Sequence, residues 1–203
     1  MRTEPARRGS ATTERILDVA ERLLQARGYN GFSYADVAGE LDITRAALHY
    51  HYPGKAELGE ALIARYAERF AAALADLDAA GSEAPATLEG YADLYTQVLG
   101  QQRMCLCGML AAEYLTLPPG MQRGVTAFFA GSSSWLQAVL DRGRREGTLA
   151  FSGAASDSAA MVMGGLEGAM LITRMSGDVQ GFRAAAARLL AGLTTTADEA
   201  PAA

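Results

Sequence analysis

Between Thr44 and Lys55 the chain gathers side chains suited to gripping a nucleic acid: Thr44, Arg45, His49, Tyr50, His51 and Lys55, with Ala46 and Ala47 between them. A guanidinium such as that of Arg45 can donate two parallel hydrogen bonds to a guanine edge, a contact worth roughly 1–3 kcal/mol of discrimination. Tyr50, His51 and Tyr52 supply hydroxyl and imidazole donors for phosphates. Lys55 sits where a helix should begin, so its ammonium joins backbone N–H groups that already favour an anion. Elsewhere the chemistry is sparse. Cys105 and Cys107 are the two cysteines, and one residue apart they cannot staple a fold. Two cysteines alone fall short of the four ligands zinc usually takes, and the two histidines belong to the Thr44–Lys55 segment. No glycine-rich phosphate loop or nucleophile–base pair is visible. The expectation is a chain that is not an enzyme, with no cofactor and no metal.

The elements around this segment must hold it outward. Ile16, Ala20, Leu23 and Leu24 recur at helical spacing, predicting a first helix from near Thr12 to Gly28. Ser33 with Asp36 forms a capping-box pattern, and Phe32 with Val37 a hydrophobic staple, so a second helix starts at Ser33 and runs to Leu41. Asp42 fills a turn, since Asp tolerates the left-handed conformation. Thr44 caps a short third helix to His51, and a long fourth follows Pro53-Gly54. A helix, a tight turn and a second helix that enters the DNA major groove is a known reading arrangement. Val37, Leu41, Ile43 and Leu48 would pin the reading helix from behind.

Beyond the Gly81–Pro85 break, further amphipathic helices are predicted over 87–101, 106–115, 121–146, 154–175 and 179–193. The fold class is therefore all-α, with about nine helices. It comprises an N-terminal three-helix helix-turn-helix domain and a C-terminal helical domain for ligand binding and dimerisation. The domain reading is a flexible basic arm over 1–10, a DNA-binding domain over 11–57, a linker helix plus regulatory domain over 58–195, and a disordered tail over 196–203. Net charge is −5, and residues 1–57 hold eight basic and eight acidic side chains. Nucleic-acid binding thus requires basic groups gathered on one face. No run of apolar residues is long enough for a membrane span and no secretory signal precedes the first helix, so the expected setting is cytoplasmic, without membrane contact.

The stretch from Thr12 to about Ala64 resembles the DNA-binding region of the TetR family of repressors. The matching residues are Thr13-Glu14-Arg15-Ile16-Leu17, Arg27-Gly28-Tyr29, Ser33, Asp36-Val37-Ala38, Ile43 through Leu48, and Tyr50 through Leu58. Three departures stand out: Asp42 for a glycine, His49 for a tyrosine and Tyr52 for a phenylalanine. The resemblance implies a homodimer on double-stranded operator DNA, most simply a repressor released from a palindromic operator by a small-molecule inducer. Ser33 and Tyr34 join the DNA-facing set. The last two helices are implied to pair with their mates, and two stripes suit that role: Ala160, Gly164 and Gly168 on the penultimate helix, and Phe182, Ala186, Leu189, Leu190 and Leu193 on the last.

In the regulatory half the residues leave alternatives open. The run Cys105 to Glu113 looks like a stretch found in part of the family, where some members sense electrophiles or oxidants through a cysteine and others bind small organic molecules. A thiol at a helix start is biased toward thiolate, so Cys105 or Cys107 is either a sensor or a small apolar filler. Tyr91 and Tyr95 share a face and line a pocket or a core. Trp135 packs or stacks on a ligand. Glu113 and Glu167 face a pocket, or serve as solvated or capping groups.

Overall fold

The computed structural model describes the backbone of residues 4–194 and the side chains of residues 11–194. Among these residues the chain forms nine α-helices and one 3-10 turn, with no strand. They are α1 (Glu4–Arg27), α2 (Tyr34–Leu41), α3 (Arg45–His51), α4 (Lys55–Ala79), α5 (Ala84–Gly100), α6 (Leu106–Ala112), the 3-10 turn Tyr114–Thr116, α7 (Pro119–Glu146), α8 (Ala155–Ser176) and α9 (Val179–Ala191). The all-α expectation holds. The tail 196–203 and the first three residues of the expected arm lie outside the described residues.

Helix boundaries differ from those expected at the starts of α1, α5 and α7 and at the end of α6. Helix α1 begins at Glu4 rather than near Thr12, so the backbone of the expected arm is helical from there. Pro5 falls in the first turn, where its missing N–H costs nothing, and Gly9 alone does not break a helix. Pro85 and Pro119 likewise lie in the first turns of α5 and α7, which start earlier than predicted. Helix α6 ends at Ala112 and tightens into the 3-10 turn.

The chain divides into two compact units, with the divisions inside α4 and α7. One unit comprises residues through Glu68 together with Cys105–Ala127; the other comprises Arg69–Met104 and the rest from Phe128. The first unit is therefore larger than the 11–57 span read from sequence. It takes in a further stretch of α4, all of α6 and the start of α7, because α6 packs on α1.

In the first unit, Ile16, Ala20, Leu23 and Leu24 on α1, Leu48 on α3, Leu58 and Leu62 on α4, and Leu106 and Leu110 on α6 are fully or almost fully buried. Beside this apolar core lies one charged cluster. Arg65 on α4 donates to Glu14 at 3.2 Å, Asp18 at 2.8 Å and Glu21 at 2.7 Å, all on α1. Arg65 and Glu21 are both largely out of water, so the pair ties the two helices with little solvent screening.

In the second unit the core is aromatic. Phe70, Tyr91, Tyr95, Phe128 and Trp135 meet edge-on, tilted or stacked, with centroids 5.1–6.4 Å apart. Arg142 braces the α4–α5 turn through the Ser82 carbonyl at 3.0 Å and the Thr87 hydroxyl at 3.2 Å. Helices α8 and α9 approach closely at Gly165, where a Cβ would stand 2.7 Å from Leu189 Cδ2. The glycine that permits this lies beside the predicted Ala160–Gly164–Gly168 row and not in it.

Arg65→Met should lower the stability measured by urea unfolding by about 3 kcal/mol, because it strips the guanidinium from the buried Glu21 carboxylate. An unchanged midpoint would show that the cluster is worth no more than a surface ion pair.

Candidate nucleic-acid interface

The turn and both caps form as the residues dictate. Ser33 caps α2, its hydroxyl accepting from the Asp36 N–H while the Asp36 carboxylate accepts from the Ser33 N–H at 2.7 Å. These bonds, with Arg27 nearby, hold the Asp36 carboxyl below its ordinary range, so this cap weakens as pH falls through the carboxylate range. Asp42 adopts φ 53°, ψ 46°, the left-handed conformation that ends α2. Thr44 Oγ1 accepts the Ala47 N–H at 3.1 Å and starts α3.

Helix α3 has one buried residue, Leu48, which is wholly out of solvent. Thr44, Arg45, Ala46, His49 and Tyr50 are exposed, while Ala47 and His51 are half-buried. Tyr50 is 86% exposed, an unusual state for a ring of its size. His49 is held at both ends of its ring: its face meets Tyr34 at 4.8 Å, and its Nδ1 lies 2.9 Å from the Pro53 carbonyl oxygen. His51 Nδ1 lies 3.1 Å from the Thr13 hydroxyl on α1. The Tyr34 hydroxyl donates to the Tyr52 carbonyl at 2.9 Å; burial first, and then Glu57, push its pKa up to about 12. Ser33 and Asp36 share their polar atoms within the cap.

Lys55 departs from the expected phosphate ligand. Its ammonium donates to the Tyr29 and Phe32 carbonyls, each at 2.5 Å, and lies over both rings at 4.4 and 4.5 Å. Burial pushes its pKa down, with Glu113 and Asp36 acting in opposition. Glu113 completes the arrangement, accepting from the Tyr29 N–H at 2.5 Å and the Asn30 N–H at 3.2 Å. The α1–α2 loop is thus held by a cation on its carbonyls and a carboxylate on its amides. Gly28 opens that loop at φ 81°, and a Cβ there would meet Glu113 Oε1 at 2.9 Å. Glu113 is therefore a capping group for this loop, one of the alternatives its sequence position left open.

The remaining candidates scatter. Tyr91 and Tyr95 are buried, their hydroxyls 3.0 Å apart, and Tyr91 stacks on the half-buried Trp135. Trp135 Nε1–H donates to Asp78 at 2.8 Å. Glu167 is half-buried on α8. None of these lines the cavity of about 400 Å³ between α5 and α9, whose floor is Leu88, Ala92, Leu149, Ala186 and Leu190. Cys105 and Cys107 are buried and in no disulfide. Cys105 Sγ accepts from the Gly108 N–H at 3.3 Å and lies 3.6 Å from the Tyr66 hydroxyl. Among the described residues no group of His, Cys, Asp and Glu is arranged to hold a metal, and no helix is long and apolar enough to cross a membrane.

Of the predicted dimer residues, Phe182, Ala186, Leu190 and Leu193 are buried by the chain's own helices, which removes them from the candidate subunit surface. Leu189 is half-buried against Gly165. Ala160, Gly164 and Gly168 are exposed, and so are Met161, Leu171, Ile172 and Met175 on the same helix. These four large side chains, missed by the sequence reading, lie on one face of α8 with Gly164 and Gly168. Together with Gly164 and Gly168 they recur every three or four residues, which was the available signal.

Residues 16–62 match the family model of bacterial regulatory proteins, tetR family. A TetR-family transcriptional regulator from Agrobacterium tumefaciens is similar over 92% of this chain and all of its own, at 33% identity and a TM-score of 0.89. The chain belongs to the TetR family of DNA-binding transcriptional regulators. A second family regulator, from Legionella pneumophila, is 30% identical over 90% of this chain and 97% of its own, with a TM-score of 0.79. Escherichia coli NemR in its reduced form shares the fold at 24% identity, covering 92% and 99% of the two chains with a TM-score of 0.78. No curated protein matches the sequence. The matched span takes in α2 and α3, and the family's proteins are transcriptional regulators.

Lys55→Met keeps the aliphatic stem but removes the two loop ties. It should cost about 2 kcal/mol of folding stability, because both hydrogen bonds are charge-assisted. Thermal unfolding reads this; an unchanged midpoint would return the ammonium to a role in phosphate binding.

Proposed function

We propose that this TetR-family regulator is a homodimeric repressor whose two α3 helices read a palindromic operator and let go when a small molecule binds the helices of the second unit. The observation that carries the reading is the outward face of α3: Arg45 and Tyr50 are exposed on a helix anchored by the fully buried Leu48. An aromatic ring left this far in water, on the same short helix as an exposed guanidinium, suits a groove and its phosphates better than solvent. The exposed apolar face of α8, from Met161 to Met175, supports a second copy as its cover, since an apolar stripe of this length favours burial. A symmetric pair then presents half-sites about 34 Å or slightly more apart.

Release requires an inducer that binds the DNA-incompetent state more tightly than the competent one. Helix α4 carries such a shift, since it begins at Lys55 and its last turn holds Asp78, which accepts from Trp135. The aromatic cluster of Tyr91, Tyr95 and Trp135 suits a flat or cationic organic ligand.

A second reading, release by an electrophile, is favoured by Cys105. Its sulfur receives one backbone N–H and lies beside one hydroxyl, interactions that favour thiolate and oppose the burial that favours the thiol.

Fluorescence anisotropy with DNA flanking the gene should yield a specific complex, and Arg45→Ala should relax base preference at one position of each half-site by roughly 1–3 kcal/mol. Failure to find any specific complex would remove the repressor reading. If Cys105 is the sensor, Cys105→Ser should bind that DNA normally yet resist release by N-ethylmaleimide, whose double bond takes up the thiolate. Release that persists in Cys105→Ser would end the second reading.

A further inference from the structure

We propose that His49 grips a DNA phosphate only as the imidazolium, so that the affinity of this chain for DNA falls as pH rises through the imidazole range. The inference rests on the reading of α3 as DNA-facing and gives one of its residues a condition. His49 Nδ1 lies 2.9 Å from the carbonyl oxygen of Pro53. A carbonyl can only accept, so Nδ1 must carry the hydrogen. In the neutral ring Nε2 then holds a bare lone pair, which cannot donate to a phosphate oxygen and is repelled by it. Protonation at Nε2 supplies a donor and a charge together. Tyrosine, expected here from the family resemblance, donates its hydroxyl proton throughout this range and imposes no such condition.

The surroundings favour an external anion as the partner of that imidazolium. His49 lines an open cleft of about 360 Å³ with Ser33, the cap of the second helix, Tyr34 at its start, Arg45 of its own helix and Lys55 of the fourth. No carboxylate lines this cleft among the described residues; behind its lining, Asp36 is committed to the Ser33 N–H and hydroxyl, and Glu57 acts on Tyr34. The Tyr34 hydroxyl is committed to the Tyr52 carbonyl and the Lys55 ammonium to two loop carbonyls. Arg45 and His49 are left to meet the ligand, one permanently charged and one conditionally. His51 differs, because its Nδ1 faces the Thr13 hydroxyl, which can donate or accept and fixes neither tautomer.

The test uses the full chain and a fluorescein-labelled random-sequence duplex of about 30 base pairs at low salt, where phosphate contacts dominate. Anisotropy is titrated from about pH 5.5 to about pH 8. Wild-type affinity should weaken about tenfold over that range, the scale of one hydrogen bond to a charged group. His49→Tyr should flatten the profile and stay tight at the alkaline end, and His51→Asn should keep the wild-type slope. His51→Asn also leaves His49 as the single imidazole, whose protonation midpoint by NMR should rise by about one unit when duplex is added. A flat wild-type profile, an undiminished slope in His49→Tyr, or a midpoint indifferent to duplex would each overturn the proposal while leaving DNA binding intact. Absence of binding at every pH would instead remove the DNA-facing reading on which it stands.

Discussion

The geometry of the reading head depends on one short loop held by two opposite charges. The Lys55 ammonium takes the Tyr29 and Phe32 carbonyls, and the Glu113 carboxylate takes the Tyr29 and Asn30 amides. A loop left to solvent would give α2 many entry angles, and a helix-turn-helix can match a groove only if its second helix is fixed. With the loop clamped, the Ser33–Asp36 cap sets the start of α2, Asp42 sets the turn, and Leu48 seats α3 with its polar side outward. The same clamp joins distant parts of the sequence, since Glu113 closes α6 and Lys55 opens α4. A shift of either helix reaches the loop through a charged hydrogen bond and not through a soft apolar contact.

This is also where the sequence was hardest to read. Local devices were legible because their partners lie within four residues: the Ser33–Asp36 box, the Thr44 cap, the left-handed Asp42 and the helix-ending Gly28. Pairs distant in sequence carry no periodic mark. Nothing in the spacing of Lys55 says that its ammonium will turn inward onto Tyr29, or that Thr13 will stand behind His51, or that Arg65 will gather Glu14, Asp18 and Glu21. A lysine at a helix start has a plausible outward use, and only the fold decides against it. The stripes on the last two helices posed a related problem. Periodicity showed that Phe182, Ala186 and Leu190 are covered, but not that their cover comes from the same chain. The exposed face of α8 was obscured because methionine and isoleucine read as core until the core is seen to be full without them.

The two units differ in how strongly their residues point to a task. In the first, the exposed side chains of α3 include Arg45, His49 and Tyr50, and the surrounding residues follow the family pattern apart from Asp42, His49 and Tyr52. In the second, the aromatic cluster is packed largely on itself, with Tyr91 and Tyr95 buried and sharing a hydrogen bond.

Hydroxyl-radical footprinting of DNA bound by the full chain tests most directly whether two copies of α3 read together. We expect two protected patches of equal depth with centres about 34 Å or slightly more apart, at two chains per duplex. A single patch, at one chain per duplex, would contradict the symmetric reading head.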